Sequence, residues 1–109
     1  MISKKTKIFV AGHRGLVGSA VLRRLKDQGY NNIITVSRKK LDLTNQDKTF
    51  KFLKKNKPQY IFICAAKVGG ILANNTFKGE FVYNNLQIQN NLIHGAFING
   101  IKNLIFLGS

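Results

Sequence analysis

The stretch Lys7-Ile8-Phe9-Val10-Ala11-Gly12-His13-Arg14-Gly15-Leu16-Val17-Gly18 runs from an apolar segment suited to a buried strand, through a glycine turn, into an amphipathic helix. That order makes the glycines informative, because the same residues outside a strand–turn–helix setting carry little meaning. Gly12 is expected to make the tight turn out of the strand. Gly15 would let backbone approach a pyrophosphate with no Cβ between them, and Gly18 would let the helix lie close on the sheet. The N–H groups and positive dipole end at the helix start favour phosphate charge. Gly12, His13, Arg14, Gly15, Leu16, Val17 and Gly18 are therefore the expected cradle of a dinucleotide.

Strand and helix patterns alternate outward from this point, which implies a parallel sheet covered on both faces. The fold expected is α/β, a doubly wound Rossmann-type sheet, incomplete at its C-terminal side. Helix 16–28 places Val17, Ala20, Val21 and Leu25 on one face and stops at Gly29. A strand over 33–36 and a short extended piece, Leu41-Asp42-Leu43, follow. Thr44 with Asp47 three residues on resembles a capping box, opening a helix that carries Phe50 and Leu53 and ends at Pro58. A strand over 60–65, a small-residue loop, a helix over 80–98 and a strand over 103–107 complete the chain. The long helix carries Val82, Leu86, Ile93 and Phe97 at helical spacing, with Gly100 as its C′ residue. Counting Leu41–Leu43 as the third strand, the expected order is 3-2-1-4-5.

The end of the second strand decides which dinucleotide suits the site. Sites for NAD usually place Asp or Glu there, about 20 residues past the glycines, to bond the ribose 2′-hydroxyl. This chain has Ser37-Arg38-Lys39-Lys40 instead. A carboxylate would repel a 2′-phosphate, whereas Arg38 bonds one bidentately and Ser37 adds a hydroxyl. Arg14 could reach the same group from the glycine loop. NADP(H) is the cofactor expected, against the plainer reading of a solvated basic loop. Asp42 and Leu43 could meet the adenine, Asp42 accepting from its exocyclic amine and Leu43 packing on the ring; a turn aspartate beside a helix start is the other reading. Ala65 and Ala66 fall where open α/β sheets bind ligands, and their small side chains would let a ribose lie against backbone. Lys67 is either a phosphate-proximal cation or an exposed lysine. Asn85 and Asn91 read as polar groups satisfied within the fold, and His13 and His94 as surface or packing residues rather than catalysts.

Composition narrows the classes. The 109 residues are short for a doubly wound enzyme, and 44% hydrophobic content suffices for a core. The formal charge of +14 brings nucleic acid into consideration. However, the lysines are scattered, no nucleic-acid-reading motif accompanies them, and the abundance of Asn, Ile and Phe suggests a coding bias. No nucleic-acid partner is expected. Cys64 is the single cysteine, so there is no intrachain disulfide and no metal-ligand cluster, and it reads as a small buried residue. The apolar stretch after the N-terminal lysines breaks at His13-Arg14, too short for a signal peptide or membrane span. A cytoplasmic protein without a membrane partner is expected.

The spacing G-x-x-G-x-x-G, rather than G-x-G-x-x-G, points toward the short-chain dehydrogenase type of site. Three stretches sharpen this: residues 12–20, the run Ala65-Ala66-Lys67-Val68-Gly69-Gly70-Ile71 with Ala73-Asn74-Asn75-Thr76, and Phe106-Leu107-Gly108-Ser109. Together they resemble the GDP-L-fucose synthases, which are GDP-4-keto-6-deoxy-D-mannose epimerase/reductases among the extended short-chain dehydrogenases. The resemblance runs from about Lys7 to Ser109. It implies that Ser109 matches the family's catalytic serine, which hydrogen-bonds the substrate carbonyl. It implies also a Tyr-x-x-x-Lys pair, a Cys and a His for the proton transfers, and hydride delivered from NADPH to the 4-keto carbon. None of Tyr30, Tyr60 and Tyr83 has Lys four residues later, and Cys64 is in the wrong strand to be the family's cysteine.

The chain thus reads as the N-terminal part, residues 1–109, of a larger NADP-dependent enzyme, inactive alone. The nucleotide-sugar substrate GDP-4-keto-6-deoxy-D-mannose and a homodimer paired through the long helix belong to the complete protein. A non-catalytic NADP-binding module, or another nucleotide-sugar epimerase or dehydratase of the same group, is the alternative.

Overall fold

The computed structural model describes residues 2–64 and 78–107. Strand β1 (Ile8–Ala11) is buried along its whole length. It pairs in parallel with β2 (Ile33–Ile34) on one side and β3 (Tyr60–Ile63) on the other. β3 in turn pairs in parallel with β4 (Asn103–Phe106). The order of the four-stranded sheet is β2-β1-β3-β4. Helices α1 (Leu16–Asp27), α2 (Gln46–Asn56) and α3 (Lys78–Ile98) make the connections.

Because side chains alternate along a strand, β1 feeds two cores. Phe9 and Ala11 pack with Leu53 of α2 and Leu92 and Ala96 of α3. Ile8 and Val10 face the other way, against Val17, Val21 and Leu25 of α1. Phe9 is fully buried, its ring 4.9 Å from that of Phe52, and burial of such a side chain stabilises the fold by about 2–3 kcal/mol. The doubly wound α/β architecture is therefore the one expected from the sequence, with Gly29 (φ +92°) and Gly100 (φ +71°) in the left-handed conformation after α1 and α3.

Three local expectations are corrected. Leu41–Leu43 is no strand: the amides of Lys40 and Leu41 donate to the Ser37 carbonyl and that of Asn45 to Asp42, so the segment is a series of turns. The order 3-2-1-4-5 accordingly loses its outer member, and β2 stops at Ile34. The cap of α2 is Asn45, whose Oδ1 accepts from the Lys48 amide at 3.0 Å. Thr44 is engaged instead by Asp42 Oδ1, from its amide at 3.0 Å and its hydroxyl at 2.7 Å.

The third correction concerns the register of α3. Leu86, Ile93 and Phe97 are exposed, and Ile88, Leu92 and Ala96 make the buried stripe; the side chain of Val82 lies outside the description. Gly95 explains the choice. A Cβ there would stand 2.8 Å from Leu53 Cδ1 and 3.0 Å from Phe50 Cδ1, so α2 and α3 meet where α3 has no side chain to separate them.

Candidate functional site

A cavity of about 500 Å³ opens beyond the carboxyl ends of β1 and β2. Its walls come from four places. The loop after β1 supplies Gly12, His13, Arg14 and Gly15. The segment after β2 supplies Val36, Ser37, Arg38, Lys39, Leu41 and Leu43. Cys64, just past β3, and Ile88 of α3 complete the described lining. The volume lies within the range of small-molecule and cofactor sites.

The loop is shaped by backbone demands. Gly12 sits at φ +84°, a conformation that a side chain disfavours, and its carbonyl accepts from the Gly15 amide at 3.1 Å. Gly18 packs so closely that a Cβ would overlap the Gly12 carbonyl. Gly15 is different. It is the N-cap of α1 in extended conformation, no side chain caps the helix, and the nearest atom to a Cβ would be Gly12 O at an ordinary 3.5 Å. The protein itself thus has room for a side chain at Gly15.

The intrahelical ladder begins with the Ser19 amide donating to the Gly15 carbonyl at 2.9 Å. The amides of Leu16, Val17 and Gly18 precede it and have no intrahelical acceptor. None of the three lines the cavity; Leu16 is 90% exposed at the helix start. What these three residues leave open at the start of α1 is backbone N–H.

Arg14 from one loop and Ser37, Arg38 and Lys39 from another share the cavity wall, and among the described residues no carboxylate lines it. The turn holding them is tied at Ser37, whose carbonyl accepts from the Lys40 amide at 3.0 Å and the Leu41 amide at 2.9 Å. His13 has its pKa lowered, first by burial and then by the Arg14 charge. It thus favours the neutral imidazole. Burial pushes the Cys64 thiol up, away from the thiolate.

The wall also has apolar members: Val36, Leu41, Leu43 and Ile88. Leu43 is held from outside the cavity. Its carbonyl accepts from Asn91 Nδ2 of α3 at 2.8 Å and from Thr49 Oγ1 of α2 at 3.4 Å. Asp42 is exposed and outside the wall, its Oδ1 occupied with Thr44. Sequence reasoning did not single out Val36, Leu41, Cys64 and Ile88 for the site. The signal for Val36 and Cys64 was their place just past strand ends, where such sheets bind ligands. Ala65, Ala66, Lys67 and Ser109 lie outside the described residues.

His94 sits away from the cavity, its ring 5.6 Å from that of Phe50 and 6.2 Å from that of Phe97, which fits a packing role. Among the described residues no group of His, Cys, Asp and Glu could hold a metal ion, and no helix is long and apolar enough to cross a membrane.

Comparison with known proteins places this geometry among relatives. The model of the NAD dependent epimerase/dehydratase family matches residues 8–109. The putative GDP-L-fucose synthase 2 of Arabidopsis thaliana is 54% identical over 109 residues, all of this chain and 33% of the relative. The GDP-L-fucose synthase of Escherichia coli is 41% identical over 105 residues, 96% of this chain and 33% of the relative. The chain thus spans about a third of the length of the curated relatives it matches. Among solved structures, the GDP-mannoheptose C4 reductase of Campylobacter jejuni with NADP bound superposes with a TM-score of 0.93 at 42% identity, covering 99% of this chain and 32% of that one. A GDP-L-fucose synthetase of Naegleria fowleri bound to NADP gives 0.81 at 29% identity, over 97% of this chain and 32% of that one.

Proposed function

Since the chain belongs to the NAD dependent epimerase/dehydratase family, we propose that it is the NADP(H)-binding part of a nucleotide-sugar epimerase/reductase that converts GDP-4-keto-6-deoxy-D-mannose to GDP-L-fucose. One observation carries the cofactor half of this reading: Arg14 and Arg38, from separate loops, line one cavity whose wall holds no carboxylate among the described residues. The names of the relatives support the sugar half.

NADPH, when bound, supplies the hydride that reduces the 4-keto carbon. The chain's own residues bind and orient it. Gly12 turns the backbone so that the amides following Gly15 face a diphosphate, where the helix dipole adds a favourable field. Arg14 and Arg38 hold the ribose 2′-phosphate, with Ser37 and Lys39 beside them. Leu41, Leu43 and Ile88 offer an apolar face to the adenine, which excludes water there. His13, kept neutral, offers a hydrogen bond to the phosphates without a fixed charge. In the complete enzyme Ala65 and Ala66 admit the nicotinamide ribose, Lys67 adds a cation, and Ser109 hydrogen-bonds the substrate carbonyl.

Titration of the full-length gene product with NADPH and NADH tests the reading. Tighter uptake of NADPH is expected, together with NADPH consumption on addition of GDP-4-keto-6-deoxy-D-mannose and formation of GDP-L-fucose. Failure to take up NADPH, or a preference for NADH, defeats the cofactor assignment. NADPH uptake without turnover of that sugar defeats the substrate assignment alone.

A further inference from the structure

Asn91 lies 3% exposed on the inner face of α3, one turn beyond Ile88 of the cavity wall. An amide side chain in that setting needs partners, because an unmet buried donor costs more than a made hydrogen bond contributes. Its Nδ2 donates to the Leu43 carbonyl at 2.8 Å, across 48 residues of sequence. Gln87 Nε2 reaches its Oδ1 at 3.4 Å. Fully buried Thr49 sends a second, longer bond to the same carbonyl. Two helices therefore converge on one backbone oxygen.

The reason lies in the segment to which that oxygen belongs. The hydrogen bonds within residues 37–45 are local: Lys40 and Leu41 to Ser37, and Thr44 and Asn45 to Asp42. No strand ladder locks it, as β2 ends at Ile34. The segment nevertheless supplies Leu41 and Leu43 to the cavity. We infer that Asn91 is a positioning residue of the dinucleotide site, fixing the apolar wall at Leu43 against which the adenine half of the cofactor packs. The inference rests on the dinucleotide reading above.

Its consequence is selective. Loosening the wall weakens contact with the adenosine half and leaves the nicotinamide half and the sugar untouched. The full-length gene product and its Asn91→Leu variant, which keeps bulk while removing the donor, are titrated with adenosine 2′,5′-bisphosphate and with reduced nicotinamide mononucleotide. In N91L the dissociation constant for the bisphosphate is expected to rise about fivefold, the loss of one hydrogen bond. KM for NADPH rises in step, while kcat at saturation and KM for the sugar nucleotide stay level. A fall in general integrity would move all of these together.

If N91L does not fold, Asn91→Ser, whose hydroxyl is too short to reach Leu43, reads the same loss. Leu43→Ala completes a cycle: its effect on bisphosphate binding should shrink in the N91L background, since both changes act on one wall. Unchanged bisphosphate affinity in folded N91L or N91S, or full additivity with Leu43→Ala, overturns the role of Asn91 while leaving the dinucleotide site standing. Absence of bisphosphate uptake by the unsubstituted protein overturns the dinucleotide reading itself.

Discussion

A Cβ built on Gly18 would stand 2.6 Å from the carbonyl carbon of Gly12 and 3.1 Å from His13 Cα. The first turn of α1 and the loop leaving β1 are thus in backbone-to-backbone contact, with no flexible side chain able to yield. Gly12 and Gly18 are set by the fold, whereas nothing in the fold excludes a side chain at Gly15, which the proposed dinucleotide would.

Replacing each glycine by alanine should therefore separate stability from binding. Gly18→Ala is expected to lower stability by about 3 kcal/mol, because backbone must move to admit the methyl group. Gly15→Ala should leave the denaturation midpoint nearly unchanged while sharply weakening NADPH uptake. Chemical denaturation and ligand titration of the full-length gene product read the two effects.

Cofactor preference should follow the cations of the cavity wall. Arg38→Ala is expected to weaken NADPH binding about 10- to 100-fold, the magnitude of a lost charge-assisted pair, with NADH affected far less. Arg14→Ala should act in the same direction, and Arg38→Asp should move the preference toward NADH. The ratio of NADPH to NADH dissociation constants is the measurement.

The imidazole of His13 should titrate below the ordinary histidine range, since burial and then Arg14 both disfavour its cation. The unfolded chain takes up that proton more readily, so this contribution to stability is present above the unfolded pKa and is lost as pH falls through the folded one. Proton shifts of the ring followed against pH give the midpoint. Arg14→Gln should raise it only part of the way, because burial is the larger cause.

Asn45→Ala removes the bond to the Lys48 amide and should destabilise the protein by about 1 kcal/mol, while Thr44→Ala, which leaves the cap in place, spares α2. Comparison of the denaturation midpoints decides between the two as the start of the helix.

The parts of this fold legible in the sequence are those dictated by backbone geometry or by strand periodicity. The left-handed positions at Gly12, Gly29 and Gly100 are locally determined, and the apolar strands have one reading each. Helix α3 was harder because it is apolar on two sides. Its inward stripe is chosen by close approach at Gly95, a contact with Leu53 and Phe50 that no spacing within the helix encodes. The bulky Leu86, Ile93 and Phe97 drew the expectation, and the small Gly95 and Ala96 carried the answer.

Leu41-Asp42-Leu43 misled for a related reason. Alternation of apolar and polar residues marks which side chains face inward, and both a strand and a tethered loop can satisfy it. The ties of Leu43 to Asn91 and Thr49 are side-chain bonds to distant helices, invisible to a local pattern. At the cavity, the glycines and Arg38 could be named from sequence because their chemistry is tied to a motif. Ile88 could not, since its place depends on the register of α3.

The turn that begins at Ser37 is closed by local bonds to the Ser37 carbonyl, and its exposed residues Arg38 and Lys39 belong to neither core. Residues 38 and 39 can therefore be exchanged without disturbing the two cores built on β1. On the NADP(H) reading proposed above, exchange at these two positions would retune which redox carrier is drawn upon, while the scaffold beneath is inherited unaltered.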